Sequence, residues 1–171
     1  MRFEESLKVG KVAESLIARW LQKRGNYVLP IYEIEKNQFA GPAIYIEERP
    51  VIAPDIMAIN SSGNCCWIES KNKSAFTWHR LSKRWTTGID LKHYNDYLYL
   101  MQKIDIPIYL FFNQNGGKAK DSKKSESGLF VADLNFLKDH ENHRCEAKPH
   151  CKNGMVFWAK DKFSKVGDCL R

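Results

Sequence analysis

The chain has 171 residues, which is close to the commonest size of a single domain. Its share of apolar and charged residues is that of a globular protein, which excludes a wholly disordered or fibrous chain. No apolar run approaches the roughly 18 residues of a membrane span, and the N-terminus lacks the layout of a signal peptide. The five cysteines are an odd number with one adjacent pair, which is typical of reduced thiols. We therefore expect a cytoplasmic protein that has no membrane partner.

The predicted elements alternate between helix and strand. Apolar residues recur at helical spacing from Leu7 to Arg24, and a hairpin signal follows, in which the turn residues 60–64 separate two apolar runs. Further along the chain, the sequence predicts a loop at 33–50 with a short strand at 43–46, a helix at 91–102 with Asp90 as its N-cap, strands at 106–112 and 129–132, a short helix or turn at 133–138, and a strand at 155–160. This order indicates an α/β fold with a mixed sheet.

Charged residues interrupt the predicted hairpin at one level. Asp55 follows Pro54 inside an apolar run, while Glu69 and Lys71 lie two residues apart on the next strand, so strand pairing brings all three together on one face. Two carboxylates among apolar residues need a neutralising cation, and hard oxygen ligands favour Mg²⁺ or Mn²⁺. From the residues alone, a surface salt bridge between Glu69 and Lys71 accounts for that pair equally well.

Glu14 lies at the margin of the apolar stripe of the first helix. From there its carboxylate could reach over the sheet towards Asp55 and join the same site. The alternative is an ordinary boundary glutamate that pairs with Lys11 in solvent. The two interpretations have similar weight at this point.

Positive charge is concentrated after residue 60. The chain carries a net charge of +7, and residues 1–60 hold 8 basic and 8 acidic side chains, so the whole excess lies in residues 61–171. Directly after Lys71, the segment 72–89 interleaves cations with aromatic rings, an arrangement that suits phosphates and bases. The candidate nucleic-acid contacts are Lys73, Trp78, Arg80, Lys83, Arg84 and Trp85. The alternative is that the rings belong to the core and that the cations are solvated.

The order of helix, Pro54-Asp55 and Glu69-Ser70-Lys71 resembles the PD-(D/E)XK nuclease superfamily, and its layout is most similar to the archaeal Holliday junction resolvase branch. The resemblance covers roughly residues 10–135. It implies a single restriction-endonuclease-like domain over residues 1–171, with an αβββαβ core at about 7–135, a mixed central sheet flanked by helices, and a C-terminal extension at about 136–171.

The resemblance also implies Mg²⁺-dependent hydrolysis of phosphodiester bonds in DNA, with Mn²⁺ as a substitute. Cutting both strands of a duplex or junction would favour a homodimer with two-fold symmetry. Asp55 and Glu69 match the metal ligands, Lys71 the catalytic lysine, and Glu14 the helix carboxylate of some branches. The exonuclease branch carries Gln-x3-Tyr on the helix after the lysine, where this chain has His93-x3-Tyr97 and Asp90-x3-Tyr94 and no glutamine. An endonuclease is therefore favoured, acting on branched or duplex DNA.

A different class of function also fits the sequence. The residues His140, His143, Cys145, His150 and Cys151 form a compact cluster of zinc-ligand types, although their spacing matches no common zinc finger. The alternative function is accordingly a non-catalytic nucleic-acid-binding module, organised by zinc at this cluster.

Overall fold

A computed structural model describes residues 3–31, 42–46, 49–118, 124–147 and 153–171, with side chains of the first helix described from residue 11 onward. The helices are α1 (Phe3–Gln22), α2 (Leu91–Lys103) and α3 (Leu134–Leu137), and a 3-10 turn covers Lys160–Lys162. The strands are β1 (Tyr27–Pro30), β2 (Ala43–Tyr45), β3 (Pro50–Ile52), β4 (Ile56–Ile59), β5 (Cys65–Lys73), β6 (Thr77–His79), β7 (Arg84–Asp90), β8 (Ile108–Asn115), β9 (Ser127–Asp133), β10 (Glu141–Cys145), β11 (Met155–Ala159) and β12 (Ser164–Gly167).

The main sheet has six strands in the order β1-β4-β5-β8-β9-β12. Its central pair, β5 and β8, is parallel, and the other neighbouring strands are antiparallel, so the sheet is mixed. The predicted hairpin of β4 and β5 is present, and it pairs Ile56 with Ile68. The sequence therefore predicted the local unit that carries Asp55, Glu69 and Lys71.

Helices cover both faces of this sheet because each face of its strands is apolar. On one face, Ile17 and Leu21 of α1 are buried against Ile56 and Ile68. On the other face, a larger core joins Tyr94, Tyr97 and Leu100 of α2 to strand residues that include Trp67, Leu110 and Phe112. No helix in the described part of the chain is long and apolar enough to span a membrane.

The segment after Lys71 forms regular structure that the sequence did not predict. Strands β6 and β7 make an antiparallel hairpin, and β7 pairs with β11, which places the hairpin at one side of a second sheet with the order β10-β11-β7-β6. We call residues 77–90 the basic hairpin. Its strands were missed because Thr86-Thr87-Gly88 in the middle of β7 lack the apolar alternation that identifies a strand.

The other predicted elements differ in smaller ways. The predicted short strand in the 33–50 loop is β2, which pairs with β3, while residues 32–41 and 47–48 lie outside the described residues. Asp90 occupies the N-cap position of α2, but its side chain makes no capping hydrogen bond. The residues after 135 supply β10 and β11 to the second sheet, and β12 to the edge of the main sheet. The described cysteines Cys65, Cys66, Cys145 and Cys169 are free thiols.

Candidate active site

Asp55 and Glu69 meet on the face of the main sheet that α2 covers. Ile56 of β4 pairs with Ile68 of β5, so Asp55, just before β4, lies beside Glu69. The backbone N–H of Ser70 donates a hydrogen bond of 2.7 Å to Asp55 Oδ2. This bond fixes one oxygen of Asp55, and the hairpin register alone brings the two carboxyl groups together.

Glu69 is the buried centre of the site, with 1% of its surface exposed. Its Oε1 contacts Lys71 Nζ and lies 3.4 Å from His93 Nδ1. The hydroxyl of Tyr97 donates a hydrogen bond of 2.5 Å to Oε2. Both oxygens of the buried carboxylate therefore have partners, as a buried charge requires.

The two carboxyl groups have opposite pKa shifts. Burial and then the negative charge of Glu69 raise the pKa of Asp55 to about 8. Burial alone would also raise the pKa of Glu69, but the positive charge of Lys71 and the contact with His93 lower it to about 2. Lys71 has a raised pKa, since the charges of Glu69 and Asp55 outweigh the effect of burial. A single lysine therefore neutralises one carboxylate of the pair and leaves the other without a charge partner of its own.

Glu14 of α1 is half-buried and responds to this site. Its pKa is raised, first by burial and then by the negative charge of Glu69, and the charges of Lys71 and Lys11 act in the opposite direction. Lys71 has the larger of these two opposing effects. The side chain therefore lies within electrostatic reach of Glu69, and its role as a metal ligand stays a prediction.

The donor set fits a hard divalent cation. Burial and then the negative charge of Glu69 raise the pKa of Asp55, and the charge of Lys71 offsets them only in part. An added cation would stabilise the ionised form of both carboxyl groups. Within the described ranges, no group of three or more His, Cys, Asp and Glu side chains is arranged to hold a metal ion. Two carboxylates are nevertheless enough for Mg²⁺, which keeps several waters and takes further oxygens from a substrate phosphate.

The structure gives less support to the alternative of a zinc site. His140 Nδ1 lies 2.8 Å from the carbonyl oxygen of Phe136, and the ring of His143 is stacked between His79 and Phe157. These two histidines and Cys145 do not form a metal-holding group among the described residues. His150 and Cys151, the other members of the predicted cluster, lie outside the described residues.

The predicted nucleic-acid contacts lie along the end of β5 and the basic hairpin. Lys73 is half-buried on β5, and its pKa is lowered by burial and by the charge of Lys71. Trp78 and Trp85 are cross-strand partners with an edge-to-face ring contact of 5.4 Å between centroids. Trp78 is 40% exposed, whereas Trp85 packs against the larger core. One ring therefore faces solvent and the other belongs partly to the interior.

The cations of the hairpin are at its turn. Arg80 and Lys83 are exposed residues of the turn between β6 and β7. Arg84 is also exposed, and its Nη1 lies 3.2 Å from Asp161 Oδ2. The turn thus presents a cluster of positive charge to solvent, in which Arg84 has an acidic neighbour. The role of these cations as nucleic-acid contacts stays a prediction.

Two residues of the site were not among the candidates named from the sequence. His93 and Tyr97 contact Glu69 from α2, and they are one helical turn apart on the face that meets the sheet. Their four-residue spacing in the sequence was the available signal, because positions i and i+4 share one helix face. The missing information was that this face covers β5.

The mixed central sheet between α1 and α2, together with the site on β4 and β5, defines a restriction-endonuclease-like α/β fold, so the predicted fold class is confirmed. Among solved structures, the chain is similar to Hjc, a Holliday junction resolvase from the archaeal hyperthermophile Archaeoglobus fulgidus. The two chains share 11% sequence identity with a TM-score of 0.50, over 92% of this chain and 96% of that chain. No protein-family model matches the sequence, and no curated protein matches it significantly.

Proposed function

We propose that this protein is a divalent-metal-dependent nuclease of the PD-(D/E)XK type that hydrolyses phosphodiester bonds in DNA, and that it acts as an endonuclease. The observation that carries the proposal is the convergence of Asp55, Glu69 and Lys71 on one face of the β4–β5 hairpin, where a single lysine serves two carboxyl groups. The fold shared with a Holliday junction resolvase supports it. The whole chain is proposed to act as a single nuclease domain in the cytoplasm.

Asp55 and Glu69 would hold the cation, with Glu14 as a third carboxylate at the margin of the site. Mg²⁺, or Mn²⁺ in its place, would supply Lewis-acid charge for the attack of water on phosphorus. Glu69 Oε1 is engaged by Lys71, so binding an ion through this oxygen requires the ammonium group to turn away. The side chain of Lys71 is 27% exposed, and from there its N–H groups can orient a water molecule or stabilise charge on a phosphate oxygen.

The basic hairpin would hold the DNA next to this chemistry. Lys73, Arg80, Lys83 and Arg84 would contact phosphates, while Trp78 would stack on an accessible base. Cleavage of both strands of a duplex or junction needs two active sites, which favours a homodimer with two-fold symmetry.

The proposal is tested by incubating the protein with linear, circular, single-stranded and branched DNA in Mg²⁺ or in EDTA. We expect Mg²⁺-dependent cleavage that is lost in Asp55→Asn, Glu69→Gln and Lys71→Ala and kept in Asp105→Asn. Asp105 is an exposed carboxylate that follows the end of α2, whereas the site contact His93 lies in the first turn of that helix. Asp105→Asn therefore removes a negative charge at the opposite end of α2 and controls for a general loss of charge. Full activity of Lys71→Ala would exclude the proposed role of the lysine.

The same experiment evaluates the alternative of a non-catalytic nucleic-acid-binding module. One observation favours that module, namely that both oxygens of Glu69 already have protein partners. DNA binding without cleavage in any divalent metal would support it. Loss of that binding on chelation of zinc would extend the support to a zinc-organised structure.

A further inference from the structure

The turn of the basic hairpin exposes a large apolar side chain. Leu81 lies between β6 and β7 and is 90% exposed, more than any other large apolar residue in the described part of the chain. A leucine with so little protein contact contributes almost nothing to the core. Burying it against another molecule would be favourable, because apolar surface would leave water.

Stacked rings and hydrogen bonds hold this turn in place from its inner side. The ring of His79 stacks on that of His143 with centroids 3.8 Å apart, and His143 in turn stacks on Phe157 at 4.5 Å. Ser82 Oγ donates to Asn142 Oδ1 at 3.1 Å and lies 2.8 Å from His79 Nδ1. These contacts anchor the turn to β10 and β11, so Leu81 projects from a fixed support.

The charged side chains around Leu81 favour a polyanionic partner. Arg80 and Lys83 flank it in the turn, and Arg84 follows at the start of β7. Lys83 has a φ of 51°, a left-handed conformation that few non-glycine residues adopt and that here closes the turn. Cations on both sides of an apolar side chain match the arrangement in which phosphates lie beside a base step.

The other end of the same hairpin lies at the candidate active site. Strand β7 runs from the turn to Asp90, the residue directly before α2. His93 in the first turn of that helix lies 3.4 Å from Glu69 Oε1. Seven strand residues span at most about 23 Å at the usual rise per residue. This length is less than one turn of B-DNA, about 34 Å, so one duplex can reach both ends of the hairpin.

We propose that Leu81 is an apolar wedge that inserts at an unstacked base step, which makes duplex DNA with a locally interrupted stack, as at a mismatch, the preferred substrate class. The inference rests on the proposed function for the substrate being DNA, but it does not need cleavage. Insertion into a continuous duplex costs a few kcal/mol of stacking, whereas a mismatched step has already lost part of its pairing and stacking. The wedge therefore adds affinity at such positions and little elsewhere.

Binding in EDTA tests this without cleavage. The probes are two duplexes of equal length, one intact and one with a central mismatch, each with 2-aminopurine at the central step. We expect the wild-type protein to prefer the mismatched duplex and to increase its fluorescence on binding. Leu81→Ala should lose about tenfold in affinity for the mismatched duplex, because a leucine side chain is no longer buried there. It should keep its affinity for the intact duplex and lose the fluorescence increase.

Two variants serve as controls. Leu29→Ala removes another exposed leucine, 55% exposed and located on β1, and should behave as wild type. Lys83→Asn keeps a residue that tolerates the left-handed conformation but removes the charge. It should weaken binding to both duplexes equally and retain the fluorescence increase. Thermal unfolding of each variant confirms that the exposed substitutions leave the fold intact.

Several outcomes overturn the inference. If Leu81→Ala keeps both the preference for the mismatched duplex and the fluorescence increase, Leu81 does not act as a wedge. If the variant loses affinity for both duplexes equally, Leu81 is a general DNA contact. If the wild-type protein binds no DNA, both this inference and the proposed function fail. If a preference that depends on Leu81 is found but Mg²⁺ gives no cleavage, the nuclease proposal fails and the wedge stands.

Discussion

Asp55, just before β4, lies beside Glu69 of β5, yet the two carboxyl groups have opposite preferences for a proton. The pKa of Asp55 is raised to about 8, and that of Glu69 is lowered to about 2. The difference arises because Lys71, His93 and Tyr97 all contact Glu69, whereas Asp55 receives a hydrogen bond from the backbone of Ser70. A proton on Asp55 and a cation bound to it are thus competing ways to neutralise the same group.

The first prediction concerns the pH dependence of stability in the metal-free protein. Asp55 has a folded pKa of about 8 against an ordinary value of 3.8, so between these values the folded state holds a proton that the unfolded chain has lost. Its contribution is therefore fully present below about pH 4 and is lost as the pH rises towards 8. In EDTA, the free energy of unfolding of the wild type should fall by about 2 kcal/mol more than that of Asp55→Asn between pH 4.5 and 8.5. The value is smaller than the full pKa difference implies, because solvent screens the charge of a partly exposed group. Urea unfolding measures this, and identical pH profiles would contradict it.

The second prediction concerns the pairing of Lys71 with Glu69. Lys71→Met leaves a buried carboxylate without its main cation, so we expect a loss of about 3 kcal/mol in the free energy of unfolding at pH 8. The double variant Glu69→Gln/Lys71→Met should recover most of this loss, because it removes both charges. Urea unfolding measures all three proteins. Lys165→Met, at the more exposed pair with Glu126, is the control and should cost less than about 1 kcal/mol.

The third prediction separates the two tryptophans of the basic hairpin. Trp85 packs against the larger core, so Trp85→Ala should lower stability by about 3 kcal/mol. Trp78 is 40% exposed, so Trp78→Ala should retain stability and weaken DNA binding by about 1–3 kcal/mol. Thermal unfolding and DNA titration on the same samples measure both effects. A reversed pattern would place Trp78 in the core and Trp85 at the DNA.

The fourth prediction concerns the cations at the hairpin turn. Neutralising Lys83 and Arg84 together, as Lys83→Asn/Arg84→Gln, should lower DNA affinity and reduce the slope of log K against log salt by up to about 2, because fewer counterions are released. Arg84 should contribute less than Lys83, since it is paired with Asp161. The matched control is Arg19→Gln/Lys23→Gln at the end of α1. An equal reduction in the control would show that binding depends on net charge rather than on this surface.

The fifth prediction concerns the contact between β7 and β11. A Cβ atom added at Gly88 would lie 2.0 Å from the carbonyl oxygen of Val156 and 2.9 Å from Phe157 Cδ1. Gly88→Ala should therefore force the strands apart and lower the free energy of unfolding by more than about 3 kcal/mol. Gly167→Ala is the control, because its nearest contact would be an ordinary 3.5 Å to Trp20 Nε1. Equal stability of the two variants in urea would contradict this account.

The sequence predicted those features whose signals are local. The two apolar runs that contain Pro54-Asp55 and lead into Glu69-Ser70-Lys71, with turn residues between them, are enough to predict the β4–β5 hairpin and its shared face. The helical spacing of apolar residues likewise predicted α1 and α2, and the order of helices and strands predicted the fold class. In each case the pattern lies within a single element or between neighbours in the chain.

The features that were missed depend on contacts between distant segments. Gly88 interrupts the pattern of β7, but it is required there because Val156 approaches so closely. Strand β12 is a short edge strand with two exposed residues out of four, so it shows no apolar alternation. His93 and Tyr97 appear as ordinary polar positions of a helix until α2 is placed over Glu69.

The parallel pairing of β5 with β8 has a consequence for the order of folding. The β4–β5 hairpin is local and can form early, whereas β8 joins β5 only after the connection 74–107, which includes the basic hairpin and α2, has closed. The contacts of Glu69 with His93 and Tyr97 come from α2, so they form only when this connection is closed. The entropy lost in closing this connection is offset only when α2 and β8 pack on the hairpin, so the assembled cluster is a property of the complete sheet and not of the hairpin alone.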